Sequence, residues 1–187
     1  AILSRGLGDV YKRQILVKPN GLKNKTRENH KIDGLSPDAN KLRGHSKIIN
    51  VETLTKNIDL AWETTRTPAE FRSKLLVLFR TTLSEGSNFI QDRFLLNNDG
   101  AEAVLAQAYL MDSLIKAALE TVDTKLYRAP NPTRGEQLCI IAVGGYGRGE
   151  LAPFSDIDLL FLLPYKQTPR VEQVVETILY LLWDMKL

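Results

Sequence analysis

The sequence predicts an α+β chain, with a helical N-terminal region followed by two strands and their flanking helices. Three observations carry that reading. Apolar residues recur at helical intervals across residues 51–127. Two short apolar runs, at 138–143 and 159–163, flank a glycine-rich connector. Pro130 and Pro132 separate the helical pattern from the strand pattern.

Four segments are expected. Residues 1–14 contain DVYKRQ (9–14), which GAT GTG TAT AAG AGA CAG can encode; that string resembles the mosaic-end adaptor of transposase-based sequencing libraries. The segment reads as adaptor-derived and is set aside from fold reasoning; a natural variable N-terminus is the alternative. Residues 15–50 are polar, rich in Lys, Asn, Gly and Pro, and suit a disordered tail. Residues 51–130 form the helical region, and residues 131–187 hold the strands.

Within the helical region, Asn50 is placed to cap a short helix carrying Leu54, Ile58 and Ala61. Thr67-Pro68-Ala69-Glu70 has capping-box spacing with Pro at the first helical position. Phe71, Leu75, Leu78, Phe79 and Leu83 follow at helical intervals, and Gly86 is expected to kink or end that helix. Asn97-Asn98-Asp99-Gly100 reads as a turn. A long helix over 101–127 then presents Val104, Ala108, Met111, Ile115, Ala118, Val122 and Leu126 on one face. These stripes read as helix–helix core, with a partner-binding groove as the minority alternative.

Asp156-Ile157-Asp158 opens the second apolar run. Alternation along a strand points both carboxylates the same way, roughly 6.5–7 Å apart. Leu160 and Leu162 continue their face, while Ile157, Leu159 and Phe161 form the other, so the strand is expected to be buried on both sides. Two like charges at the rim of such a strand repel and lose hydration, and a bound cation relieves both effects. Hard oxygen ligands suit Mg²⁺, which also takes waters and phosphates. In this setting Asp156 and Asp158 read as metal ligands rather than ordinary surface acids.

Four of the six residues 144–149 are Gly, interrupted by Tyr146 and Arg148. Glycine permits positive φ and close approach of a phosphate to the backbone. The P-loop is excluded because no Gly-Lys-Ser/Thr ending is present. The dinucleotide fingerprint is excluded because the acids stand 11 and 13 residues after Gly145 rather than about 20. Two roles stay open for Arg148, a triphosphate contact or a solvated side chain, and two for Ser155, a phosphate contact or a turn residue.

Gly144-Gly145 followed by Asp156-x-Asp158 resembles the DNA-polymerase-β-like nucleotidyltransferases. The longer string GGYGRGELAPFSDIDLLFLLPYKQTP is similar to the family of bifunctional uridylyltransferase/uridylyl-removing enzymes of bacterial nitrogen control. The resemblance is close from about residue 131 onward and looser from about residue 67. It implies the first two strands and flanking helices of a polymerase-β-like domain, truncated. It further implies transfer of UMP from UTP to a tyrosine of the PII signalling protein. Asp156 and Asp158 would then be the catalytic metal ligands, and Gly144, Gly145, Arg148 and Ser155 the nucleotide contacts. Mg²⁺ is the implied cofactor, and glutamine the effector of the full-length enzyme. A glutamine synthetase adenylyltransferase, another protein nucleotidyltransferase, and a non-catalytic helical interaction module are the alternatives.

The chain departs from that family in two ways. The family takes a third carboxylate from a later strand, whereas after Leu163 the sequence reads as a loop and one helix. Glu172, Glu176 and Asp184 lie on that helix and are poor candidates. Whole enzymes of the family also carry a histidine-aspartate phosphohydrolase domain and two ACT domains. The only histidines here, His30 and His45, precede the helices and cannot build a hydrolase metal site. An N-terminal fragment, inactive by itself, is the resulting expectation.

Composition adds little toward other partners. The net charge of +3 is the sum of +7 over residues 1–47 (11 basic, 4 acidic) and −4 over the remainder (14 basic, 18 acidic). The basic excess thus sits outside the region that reads as folded, and no nucleic-acid partner is expected. One Cys, Cys139, argues against a disulfide scaffold and reads as an inert buried residue. No apolar run approaches 18 residues and no signal peptide is visible, so a cytoplasmic protein without membrane contact is expected.

Overall fold

A computed structural model describes residues 13–16, 45–131, 133–163, 165 and 168–187. The rest of the adaptor-like segment and most of the polar tail lie outside the described residues. Two pieces inside them are described. Arg13–Leu16 forms strand β1, and His45–Ile48 forms a single helical turn, α1, whose Ile48 is buried. The set-aside segment thus supplies part of a sheet strand, and helical structure begins before residue 51. β1 is held by main-chain pairing to the edge of a neighbouring strand, a bond any extended segment can make whatever its side chains.

The helices follow their caps. Asn50 accepts a hydrogen bond from the Thr53 amide at 2.9 Å and starts α2, Val51–Thr64, which buries Leu54, Ile58 and Ala61. Thr67 accepts from the Glu70 amide at 3.2 Å and starts α3, Pro68–Asn97. The reciprocal bond of the capping box is displaced by one residue: the Glu70 carboxylate accepts from the Arg66 amide, at 3.1 Å. Phe71, Leu75 and Phe79 are buried, with Leu78 and Leu83 packed beside them.

Gly86 neither kinks nor ends α3, which runs unbroken through it. The glycine is there for space. A Cβ at Gly86 would stand 2.7 Å from Leu110 Cδ1 and 2.8 Å from the Ile48 carbonyl oxygen. Helix propensity alone cannot see that approach, because the crowding atoms come from other elements.

Asn98 ends α3 in the left-handed conformation, φ 53°. Asp99 caps α4, Gly100–Thr121, accepting from the Glu102 amide at 2.9 Å. The two-residue turn folds α4 back onto α3, the main helix pair of the molecule. Ala108, Met111, Ile115, Ala118 and Val122 are buried as the stripe predicts, with Val104 and Leu126 half-buried. Burial extends beyond that stripe to Leu110, Leu114 and Leu119, so α4 is the central helix. Its last turn relaxes into a π-helical segment, Val122–Leu126. Arg170 holds that segment: its Nη2 donates to the Asp123 carboxylate at 2.5 Å, and its Nε donates to the Tyr127 carbonyl at 2.5 Å.

The sheet has three antiparallel strands in the order β1-β2-β3, with β2 at Cys139–Ala142 and β3 at Leu159–Leu162. Ile140 opposes Phe161 and Ala142 opposes Leu159, so these four share a face, and it packs on the helical core. The other face carries Cys139, Ile141, Leu160 and Leu162. Here the structure corrects the expectation of a strand buried on both sides, because Leu160 and Leu162 are 43% and 56% exposed. The sheet is antiparallel, and among the described residues only one layer covers it. Cys139, on that open face, is half-buried rather than buried. Thr168 caps the final helix, α6, Pro169–Asp184, which buries Val171, Val174, Ile178, Leu181 and Leu182. Among the described residues no helix is long and apolar enough to cross a membrane.

Candidate functional site

The chain leaves β2 at Val143 and turns at Gly144, whose φ of 62° is the left-handed region that favours glycine. Residues Gly144–Gly147 form one helical turn, α5. The Gly147 amide donates back to the Val143 carbonyl at 2.8 Å, and the Glu150 amide to the Gly145 carbonyl at 3.0 Å. The connector then runs through Phe154, fully exposed at φ 65°, to the two acids.

Asp156 and Asp158 precede β3 rather than lying within it, yet the strand's alternation begins with them. Exposure alternates from Asp156 to Leu162, with Ile157, Leu159 and Phe161 turned inward. The Val143 amide donates to the Asp158 carbonyl at 3.1 Å, which continues the β2–β3 ladder by one bond. Both carboxylates therefore belong to the open face of the sheet.

The ladder bond brings the glycine turn and the second acid together. A Cβ at Gly144 would meet Asp158 Oδ2 at 2.8 Å. A Cβ at Gly145 would stand 3.0 Å from the Glu150 carbonyl oxygen. Two sequence-predicted features 14 residues apart are thus one local structure, and only glycine fits its first position.

Arg148 is folded back on this turn. Its Nη1 donates to the Gly144 carbonyl at 3.2 Å, and its Nε donates to the Glu150 carboxylate at 3.0 Å. Its side chain is 47% exposed. Ser155 is exposed, and its amide donates to the Ala152 carbonyl at 3.1 Å, which shapes the turn before the acids. Among the described residues, no His, Cys, Asp or Glu completes a group of three with the two aspartates.

One link was not foreseen. Tyr146, between the glycines, is buried, and its hydroxyl donates to Asp112 Oδ1 of α4 at 2.7 Å. The Leu151 amide also reaches α4, donating to the Val104 carbonyl at 3.3 Å. The available signal was an acid in the strongly apolar stretch AYLMDSLI (108–115), where a charge needs a partner.

The donor set suits a hard divalent cation. Asp156 and Asp158 are both exposed, and carboxylate oxygens are ligands that suit Mg²⁺, Ca²⁺ or Mn²⁺ rather than softer metals.

A glycine turn is apposed to paired acids at a strand start, and residues 133–186, which hold both, match the family model described as the nucleotidyltransferase domain. The chain is similar to proteins named bifunctional uridylyltransferase/uridylyl-removing enzyme. It is 50% identical to that of Azospirillum brasilense over 118 residues, 63% of this chain and 13% of the relative. It is 43% identical to that of Rhodospirillum rubrum over 148 residues, 79% of this chain and 16% of the relative. It is 46% identical to that of Caulobacter vibrioides over 117 residues, 63% of this chain and 12% of the relative. The chain therefore spans less than a fifth of the length of the curated relatives it matches. No solved structure matches it significantly.

Proposed function

We propose that this chain supplies the glycine turn and two metal-binding carboxylates of an enzyme that transfers UMP from UTP to a tyrosine of the PII signalling protein. The observation that carries the reading is the seating of the Asp158 carboxylate against Gly144. It brings the element suited to a triphosphate and an element suited to its metal into contact. The names of the relatives support uridylyl as the transferred group.

Asp156 and Asp158 would hold Mg²⁺, which when bound neutralises phosphate charge and lowers the pKa of an attacking hydroxyl. Gly144 and Gly145 admit the triphosphate by presenting backbone without side chains. Arg148, exposed and held near the turn by Glu150 and the Gly144 carbonyl, can swing to a phosphate oxygen by exchanging those bonds. Ser155 shapes the approach to the acids. In the reaction, a PII tyrosine oxygen attacks the α-phosphorus in line. The bond to the bridging oxygen breaks, pyrophosphate leaves, and the tyrosine proton passes to solvent or base. The nucleophile comes from the partner, so none of this chain's six tyrosines is required as the attacking group. In this reading glutamine is the effector of the full-length protein, which works in the cytoplasm.

The test is a labelled-UTP transfer assay on PII, using a protein of the relatives' full length that carries this segment. Incorporation from UTP that disappears in Asp158→Asn is expected. Incorporation from ATP instead, or undiminished incorporation by Asp158→Asn, would overturn the reading.

A further inference from the structure

Tyr146 is the only large side chain in the run Gly144–Gly147, and it is buried to 1% exposure. Its hydroxyl ends on Asp112, itself 2% exposed on α4. A carboxylate at that depth lies in low dielectric, where hydrogen bonds to it are strong and their geometry is fixed. α4 is the central helix, so its Asp112 is a rigid point of reference. The turn that Tyr146 anchors begins two residues earlier at Gly144, against Asp158 Oδ2. The Leu151 amide bond to Val104 ties the middle of the same connector to the same helix.

We propose that Asp112 is a positioning residue for the nucleotide site: through the Tyr146 hydroxyl it fixes the glycine turn relative to α4, and so sets the space between Gly144 and Asp158. The inference rests on the nucleotidyltransferase reading above and extends it into the helical region, which that reading leaves without a role at the site. It also explains why a tyrosine interrupts the glycines. The phenol ring fills the core beneath the turn, and its hydroxyl selects one orientation of the turn above it.

The test uses the 187-residue chain in four variants: Tyr146→Phe, Asp112→Ala, Asp112→Asn and the Tyr146→Phe/Asp112→Ala double. Amide hydrogen exchange is followed at Gly147, Arg148 and Glu150, whose bonds close the turn. Calorimetric titration with UTP and Mg²⁺ follows the site. Tyr146→Phe should speed exchange about tenfold, the size of one buried hydrogen bond, Asp112→Ala by at least as much, and both should weaken Mg²⁺-dependent UTP binding. The double variant should be no worse than Asp112→Ala alone, and Asp112→Asn, which keeps an acceptor oxygen, should lose clearly less than Asp112→Ala. Unchanged exchange in Tyr146→Phe, additive effects in the double, or Asp112→Asn as damaging as Asp112→Ala would overturn the proposal. If Asp112→Ala fails to fold, Tyr146→Phe and Asp112→Asn decide it. A parent chain that binds no UTP refutes the nucleotide-site reading for this chain, while exchange alone still decides whether Asp112 holds the turn.

Discussion

The carboxylate of Asp158 occupies the space that a side chain at position 144 would need: a Cβ on Gly144 would lie 2.8 Å from Oδ2. The two residues are brought together by the β2–β3 ladder, and the positive φ of Gly144 turns its α-carbon toward the acid.

Gly144→Ala meets two penalties at once. The left-handed backbone is unfavourable for an L-residue by about 1–2 kcal/mol, and the new methyl displaces the Asp158 carboxylate. We expect a lower melting temperature together with loss of Mg²⁺-dependent UTP binding, read by calorimetric melting and titration. Unaltered binding would mean that the apposition has no role at the site.

Asp156→Asn and Asp158→Asn separate chemistry from stability. Both side chains are exposed, so each variant should keep its stability to within about 0.5 kcal/mol. In a protein of the relatives' full length, each should lower uridylyl transfer by orders of magnitude, since metal-held charge contributes several kcal/mol to such transition states. Paired melting curves and labelled-UTP assays check this. A variant lacking both acids that retained near-normal transfer would defeat the assignment.

Gly86→Ala sets helix propensity against packing. Alanine favours a helix interior over glycine by about 1 kcal/mol. Against that, its methyl would lie 2.7 Å from Leu110 Cδ1 and 2.8 Å from the Ile48 carbonyl oxygen. The Ile48 oxygen is backbone and cannot move aside as a side chain can, so overpacking of about 1–3 kcal/mol should prevail. Denaturant unfolding should show net destabilisation; a stabilised variant would show that α1 moves away freely.

The open face and edge of β3 should make the isolated chain self-associate. Leu160 and Leu162 are exposed there, and among the described residues β3 pairs only with β2. Sedimentation velocity should show concentration-dependent oligomers that Leu162→Lys disperses. With two protein carboxylates as its only acidic ligands among the described residues, the chain should bind Mg²⁺–UTP weakly and show no measurable transfer to PII. Robust transfer by the 187 residues alone would show that they supply a complete site.

Much of this was legible in the sequence, because it depends on neighbours along the chain. Asn50, Thr67, Asp99 and the Asn97–Gly100 turn act within three or four residues, so their patterns appear directly in the string. The same holds for the apolar stripes of α2, α3 and α4, and for the strand–glycine–strand order that carries Asp156 and Asp158. What the sequence could not decide depends on atoms distant along the chain. Gly86 looks like a helix breaker until Leu110 and Ile48 are seen against it. Leu160 and Leu162 look buried until the antiparallel sheet is seen to be covered, among the described residues, on one face only. Asp112 looks like one acid on a long helix until Tyr146, 34 residues away, is found bonded to it. Periodicity states which residues share a face, and spacing states which share a turn. Only the tertiary structure decides what that face or turn is pressed against, because close packing is a relation between separate segments and is written in neither segment alone.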